Sequence, residues 1–259
     1  MLYKAAIGMS QPKESGILFD GSTLSIQGAL LDSISKSVLE MPKGTFELSN
    51  SQWLIDVLIP WIKTTRDALT DTAIYKEIPY QGFQLPIVED IRDTLGDPSV
   101  QKDLARQTSE VIAILRTAVA DRRKPMPWTQ VPSRRLNQVE DAIALSEISA
   151  SILTNKAPNH MSKAASESIN ELRNDGFFLL WRMFVTENGY LGLTRLGVQT
   201  GDIVCLFPNA STPYVLHPFE VNENGTVQNY RLVGDAYVHG IMDGEYTPSD
   251  AAYRVFDIV

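Results

Sequence analysis

The chain has 259 residues, 44% of them hydrophobic and 21% charged, with 23 Lys and Arg against 31 Asp and Glu. That composition describes a globular protein long enough for one large core or two small ones. It argues against disorder, and the net charge of -8 argues against a nucleic-acid binder, which needs clustered Lys and Arg. A single cysteine, Cys205, excludes an intramolecular disulfide and a CxxC metal site.

Along the chain, residues 1–20 are loosely patterned. From Thr23 to Val38 apolar residues alternate around Gly28, which predicts a strand or bulged strand pair. Ser49-Asn-Ser51 offers N-cap chemistry before a stripe of Trp53, Leu54, Val57, Leu58, Trp61 and Ile62, so a helix is expected, with Pro60 either kinking it or marking its true first turn. A short helix is expected over 87–95. Asp97-Pro98 opens a long one with apolar Leu104, Val111, Ile112, Leu115 and Val119. The segment 125–132, with three prolines, reads as a stiff linker or lid. Two more helices follow, one capped by Ser133 and running to about Leu153, the other from Ser162 to Arg173.

After Phe177 the character changes to short aromatic and β-branched segments separated by Asn-Gly and Thr-Gly turns. Strands are expected near 182–186, 190–194, 203–207, 214–219 and 228–239. The fold class is therefore α+β, a helical layer of four to five helices packed on a small, mostly antiparallel β-barrel or curled sheet. Residues 1–48 supply a strand that completes the barrel, 49–176 form the helical region, and 177–259 form the barrel itself, all in one compact unit. No apolar run approaches the roughly 20 residues needed to span a bilayer, and the N-terminus lacks signal-peptide character, so no membrane association and a cytoplasmic location are expected.

The densest group of ionisable residues is Tyr230-Arg-Leu-Val-Gly-Asp-Ala-Tyr-Val-His-Gly-Ile-Met-Asp-Gly-Glu245. On a strand, Tyr230, Leu232, Gly234, Ala236 and Val238 share a core face, while Arg231, Val233, Asp235, Tyr237 and His239 share the other. Solvent is the default neighbour of that second face. Against it stands the wall of a cleft, with Asp235 or Glu245 tuning His239 as proton donor or acceptor and Tyr237 donating to a carbonyl. Arg182 and Arg195, flanking Glu187, suit a carboxylate or a surface pair. His217 precedes Pro218, and His160 lies in a loop. Three dispersed histidines without metal spacing predict no metal, and no phosphate loop, dinucleotide fingerprint or nucleophile elbow predicts a cofactor.

The blocks Phe184-Val-Thr-Glu-Asn-Gly-Tyr-Leu-Gly-Leu193, Gly201-Asp-Ile-Val204, Pro213-Tyr-Val-Leu216 and Tyr230–Glu245, in that order, resemble the region C-terminal to the HET domain in fungal heterokaryon-incompatibility proteins. Leu24-Ser-Ile-Gln-Gly-Ala-Leu-Leu-Asp-Ser-Ile34 is similar to the strand those proteins carry just after that domain. Proteins of this family usually begin with the HET domain, for which no room precedes Leu24, so a stand-alone protein is expected. The family pattern is departed from at Thr194-Arg195, where Gly-Pro is usual, and at His217, where Arg is common. The resemblance implies no catalytic residues.

Two functions follow. The first is a cofactor-free acid/base enzyme of isomerase or cyclase type, of fungal secondary metabolism. It would bind an organic small molecule, with His239, Asp235 and Tyr237 catalytic and Arg231, Arg182, Arg195, His217 and Glu245 binding substrate. The alternative is a non-enzymatic regulatory or recognition module with a protein partner.

Overall fold

The structure, a computed structural model, describes residues 17–38, 48–70, 98–123, 134–136, 138–155, 161–174, 181–222, 225, 227–246 and 253–259. The expected helix at 87–95, the linker at 125–132 and His160 lie outside them. The chain divides into two compact units, one built from the strands near both ends of the chain and one from the helices between them.

In the β unit the strands are β1 (Ile17–Asp20), β2 (Thr23–Val38), β5 (Trp181–Thr186), β6 (Leu191–Arg195), β7 (Ile203–Leu206), β8 (Tyr214–Val221), β9 (Val227–Val238) and β10 (Tyr253–Ile258). β2 has the bounds its alternation predicts. β1 and β10 were not expected from the sequence. Neighbours run β1-β2-β5-β6-β9-β8-β7, and β7 returns to pair with β2, closing a ring. β10 bridges β2 and β9 a second time, pairing Ile258 with Tyr230 in parallel. The result is an eight-stranded ring rather than a clean barrel, because one wall, β7 and β8, is shared by two cores.

Side-chain alternation shows the sharing directly. Val204 and Val215 point into one cluster with Leu31, Ile34, Phe184, Ala236 and Val238. Ile203, Cys205 and Leu216 point the other way, into a second cluster with Phe207, Tyr230 and Phe256. Period-2 geometry sends successive residues to opposite faces, so a strand with a core on each side is apolar throughout. This explains why Ile203, Val204, Cys205 and Leu206 are all buried. The second cluster is aromatic, with ring centroids of Phe207–Phe256 and Tyr230–Phe256 at 5.8 and 5.5 Å, distances favourable for edge-to-face contact.

A glycine allows the closest approach in the first cluster. Gly192 of β6 pairs with Phe184 of β5, and the Phe184 ring lies where a Cβ on Gly192 would be, 2.1 Å from its Cζ. Asp32, 6% exposed, accepts from the Asn188 amide at 2.8 Å and from its Nδ2 at 2.9 Å. It thereby ties the β5–β6 turn to β2, while Gly189 takes the positive φ of 82° that the turn needs.

In the helical unit, Asn50–Trp53 (α1) runs into a π turn, Leu54–Leu58, and on into α2 (Ile59–Thr70). The sequence predicts at Pro60 either a kink or the first turn of the helix, and Pro60 lies in the first turn of α2. The wider turn lies just ahead of it, with the Ile59 amide bonded to Leu54 O, five residues back. Proline carries no amide hydrogen, so the change of register sits where a helical bond is missing in any case. α3 (Pro98–Ala118) starts at its proline as expected. The next helix, α4 (Val139–Thr154), begins later than predicted. Gln138 and Asp141 form its capping box, and the residues ahead of it pair instead, β3 (Arg122–Arg123) with β4 (Arg134–Arg135). α5 (Lys163–Asn174) is capped by Ser162 through Ala165 N at 3.1 Å.

The most polar interior feature of this unit is Asp121, fully buried, with Arg116 Nη2 at 2.5 Å and Arg135 Nη2 at 2.6 Å. Burial pushes its carboxyl pKa up against the pull of both guanidiniums. No described helix is long and apolar enough to cross a membrane.

Candidate functional site

Inside the ring the first cluster packs Leu31, Ile34, Phe184, Val204, Val215, Ala236 and Val238 together. A cavity of about 30 Å³ among Leu115, Leu145, Ile148 and Leu172 belongs to the helical unit. It has room for a water molecule or two and no more.

The expected site residues separate into four groups. Tyr237 and His239 come together, Tyr237 Oη lying 3.0 Å from His239 Nδ1. Tyr237, however, is only 4% exposed, so its phenol is a buried partner of the histidine. Asp235 bonds Arg195 Nε at 3.3 Å, and the same guanidinium stacks over Trp181, 5.3 Å from the ring centroid. Arg182 donates to Trp181 O at 3.0 Å. Glu245 accepts from the Asp243 amide at 2.7 Å and so closes the Gly240–Gly244 turn.

The face assignment along β9 also needs correcting. Leu232, expected in the core, is 54% exposed. Val215 pairs with Gly234 but Leu216 with Leu232, so Val233 is an extra residue in β9. A bulge of one residue switches the faces of everything beyond it. Arg231 consequently lies on the side of the wall that carries Val204 and Val215, at the end of the ring.

There the fourth group assembles. His217 Nδ1 is 2.6 Å from Asp202 Oδ1, with the Asp202 carboxylate fully buried and 37% of the His217 side chain exposed. The other carboxylate oxygen accepts from the Gln199 amide at 2.8 Å. Asp202 is held in place through its own backbone, whose carbonyl accepts from Ile34 N at 2.7 Å. A carboxylate acceptor fixes the proton on Nδ1, so the neutral imidazole presents a bare Nε2. Arg231 is the partner of His217 in the β8–β9 ladder, and its guanidinium lies on the Phe219 ring, 3.3 Å from the centroid.

Sequence reasoning named His217 and Arg231 but missed Asp202, which supplies the orientation. Its signal is positional: an acid between Gly201 and the unbroken apolar run Ile203–Phe207 enters a core and must find a partner there. Among the described residues no group of three or more His, Cys, Asp or Glu side chains forms a metal-binding cluster.

Residues 133–258 match the Het-6 beta-barrel domain. Heterokaryon incompatibility protein 6, OR allele, of Neurospora crassa is 45% identical over 73 residues, covering 28% of this chain and 10% of that protein. The matched stretch thus spans about a tenth of the relative's length. No solved structure matches the chain. The matched segment holds α4, α5 and all the strands from β5 to β10, whereas β2 lies before it. Over residues 133–258 the chain is thus similar to the Het-6 beta-barrel domain, and over 73 residues to a fungal heterokaryon-incompatibility protein.

Proposed function

We propose that the β unit binds an organic carbonyl compound and moves a proton on it without a cofactor, as an isomerase or cyclase does, with His217 as the acid/base group. One observation carries this reading: a fully buried Asp202 orients a half-exposed imidazole through Nδ1 at 2.6 Å. The bare Nε2 takes a proton from a carbon beside the carbonyl. The C–H bond breaks, its electron pair passes to the carbonyl oxygen as an enolate, and the N–H returns the proton at the same or another carbon. No electrons are gained or lost overall. A positioned general base contributes about 10²–10⁴-fold to such a step.

The test is capture of small molecules from a fungal extract on purified protein, followed by deuterium wash-in on the retained compound. The expected result is a compound held by the wild type, deuterated beside its carbonyl, and neither held nor exchanged by His217→Gln. Retention and exchange unchanged in His217→Gln refute the role of the imidazole, and no retained compound refutes small-molecule binding.

A recognition module with a protein partner is the second reading, favoured by β1, where Ile17, Leu18 and Phe19 are 64, 71 and 74% exposed. An apolar strand exposed to this degree is a pairing edge. Phe19→Ser would then weaken a native complex without lowering the melting temperature, and an unchanged complex counts against it.

A further inference from the structure

We infer that Arg231 and Phe219 form the recognition half of the His217 site and that the ligand is a carboxylate, specifically an oxo acid. The inference rests on the proton-transfer reading above and assigns its substrate class. His217 and Arg231 are directly opposed in an antiparallel pair, and such pairs place their Cβ atoms about 4.5–5.5 Å apart on one face. Among the described residues no carboxylate pairs with Arg231. Its guanidinium rests on the Phe219 ring instead, 3.3 Å from the centroid.

An aromatic face holds a guanidinium in place without using up its N–H donors, since the attraction acts perpendicular to the plane that carries them. The donors at the rim stay directed outward, in the fork geometry that accepts a carboxylate with two parallel bonds. The nearest acid on the hairpin, Glu220, is engaged elsewhere, accepting from Asn229 Nδ2 at 2.7 Å. Asp202 has its two oxygens committed to His217 and Gln199. Both carboxylates keep their charge, so an anion would be held here by the paired N–H donors of Arg231 rather than by a net positive field.

The opposed pair has the spacing for a bifunctional substrate. A carboxylate seated on Arg231 leaves the adjacent carbonyl and its α-carbon on the face of the hairpin that also carries His217. Phe219, 39% exposed, leaves an apolar margin beside the guanidinium for the substrate's carbon chain. Neither a phosphate-binding loop nor a second arginine opposite His217 is present among the described residues, so one flat monoanion fits better than a phosphate.

The experiment titrates the full chain with 2-oxobutanoate and with its neutral amide, following the Arg231 Nε–H and His217 Cε1–H resonances by NMR. The expected result is that the acid shifts both signals and the amide binds about tenfold more weakly or worse, the loss of one charge-assisted interaction. Arg231→Gln should weaken the acid by a similar factor, and Arg231→Lys should recover part of it. The far-UV circular dichroism and melting temperature of the free Arg231→Gln protein should stay where they were, showing that the fold is kept. Equal binding of acid and amide, or an Arg231→Gln protein that binds the acid normally, overturns the inference. An Arg231 signal that responds to the acid while His217 stays silent upholds carboxylate recognition and refutes proton transfer.

Discussion

Gly192→Ala tests how the ring is closed. An ideal Cβ at this position lies 2.1 Å from Phe184 Cζ and 2.6 and 2.7 Å from its two Cε atoms. Carbon atoms in contact sit at about 3.5–4.0 Å, so the ring has to retreat by about 1.4 Å or β6 has to move outward by as much. Phe184 is 0% exposed and surrounded by the first cluster. β6 is paired on both sides, with β5 through Phe184 and with β9 through Val238. Neither movement is free. Overpacking of a filled core costs about 1–3 kcal/mol, and the lack of any yielding neighbour puts this case near 3. Phe184→Ala alone costs about 3–5 kcal/mol through lost transfer energy and the void left behind. In the double variant the new methyl enters that void, so the two costs should fall short of their sum by at least about 1 kcal/mol. Urea unfolding of the four proteins measures this. A Gly192→Ala cost below 1 kcal/mol, or strict additivity, would show that the ring packing is looser than described.

Three further outcomes follow from buried groups. Asp121→Ala strands Arg116, whose side chain is only 7% exposed, and should destabilise the helical unit by about 3–5 kcal/mol; a loss under 1 kcal/mol in urea unfolding would refute the burial of this ion pair. Cys205 is fully buried and its thiol pKa is raised by burial, so its reaction with Ellman's reagent should proceed only as fast as the protein unfolds. Immediate reaction at neutral pH would contradict this. Burial likewise raises the Tyr230 phenol above its ordinary value of 10. The folded state holds this proton more tightly than the unfolded one, so the stability from the neutral phenol is complete below pH 10 and declines as pH rises through 10 toward the folded value. Phenolate absorbance from Tyr230, identified by its loss in Tyr230→Phe, should therefore appear together with alkaline unfolding.

What the sequence made legible depended on whether a strand met one environment or two. β2 and β9 were readable in their bounds from apolar alternation, but alternation did not show that each feeds both cores, β2 through Ile34 and Ile26 and β9 through Val238 and Tyr230. β1 could not be read from Ile17-Leu-Phe-Asp20, since all four residues are exposed and no period exists. Cys205 and its neighbours indicated a buried strand, yet nothing in one dimension says that such a strand divides two cores. The bulge at Val233 is marked only by the neighbouring Gly234, which the period-2 pattern takes as one more core position, and so Leu232 and Arg231 were assigned to the wrong faces. At the site, His217 drew notice only as a departure from a family pattern. Asp202 lies 15 residues away, and its meaning comes from burial, which depends on the closure of the whole ring. The dense stretch ending at Glu245 drew attention by its charges, but the structure distributes those charges among local partners, Arg195 for Asp235 and the Asp243 amide for Glu245.

The position of β2 has a consequence for how the protein is made. Asp32 and Asn188, which bond across the ring, are 156 residues apart, and Ser25 and Asp257, which bond across β2 and β10, are 232 apart. Contacts of such sequence separation slow folding, because the loop entropy is lost before the pairing energy is gained. Synthesis at about 5–20 residues per second leaves β2 waiting on the ribosome for its partners for tens of seconds. Its apolar edges are open throughout that time. The ring closes through β2, β5, β6, β9, β8 and β7, so it waits for β9; a ribosome stalled before β5 would release a chain in which β2 has β1 alone as a partner, a substrate for chaperones or for aggregation.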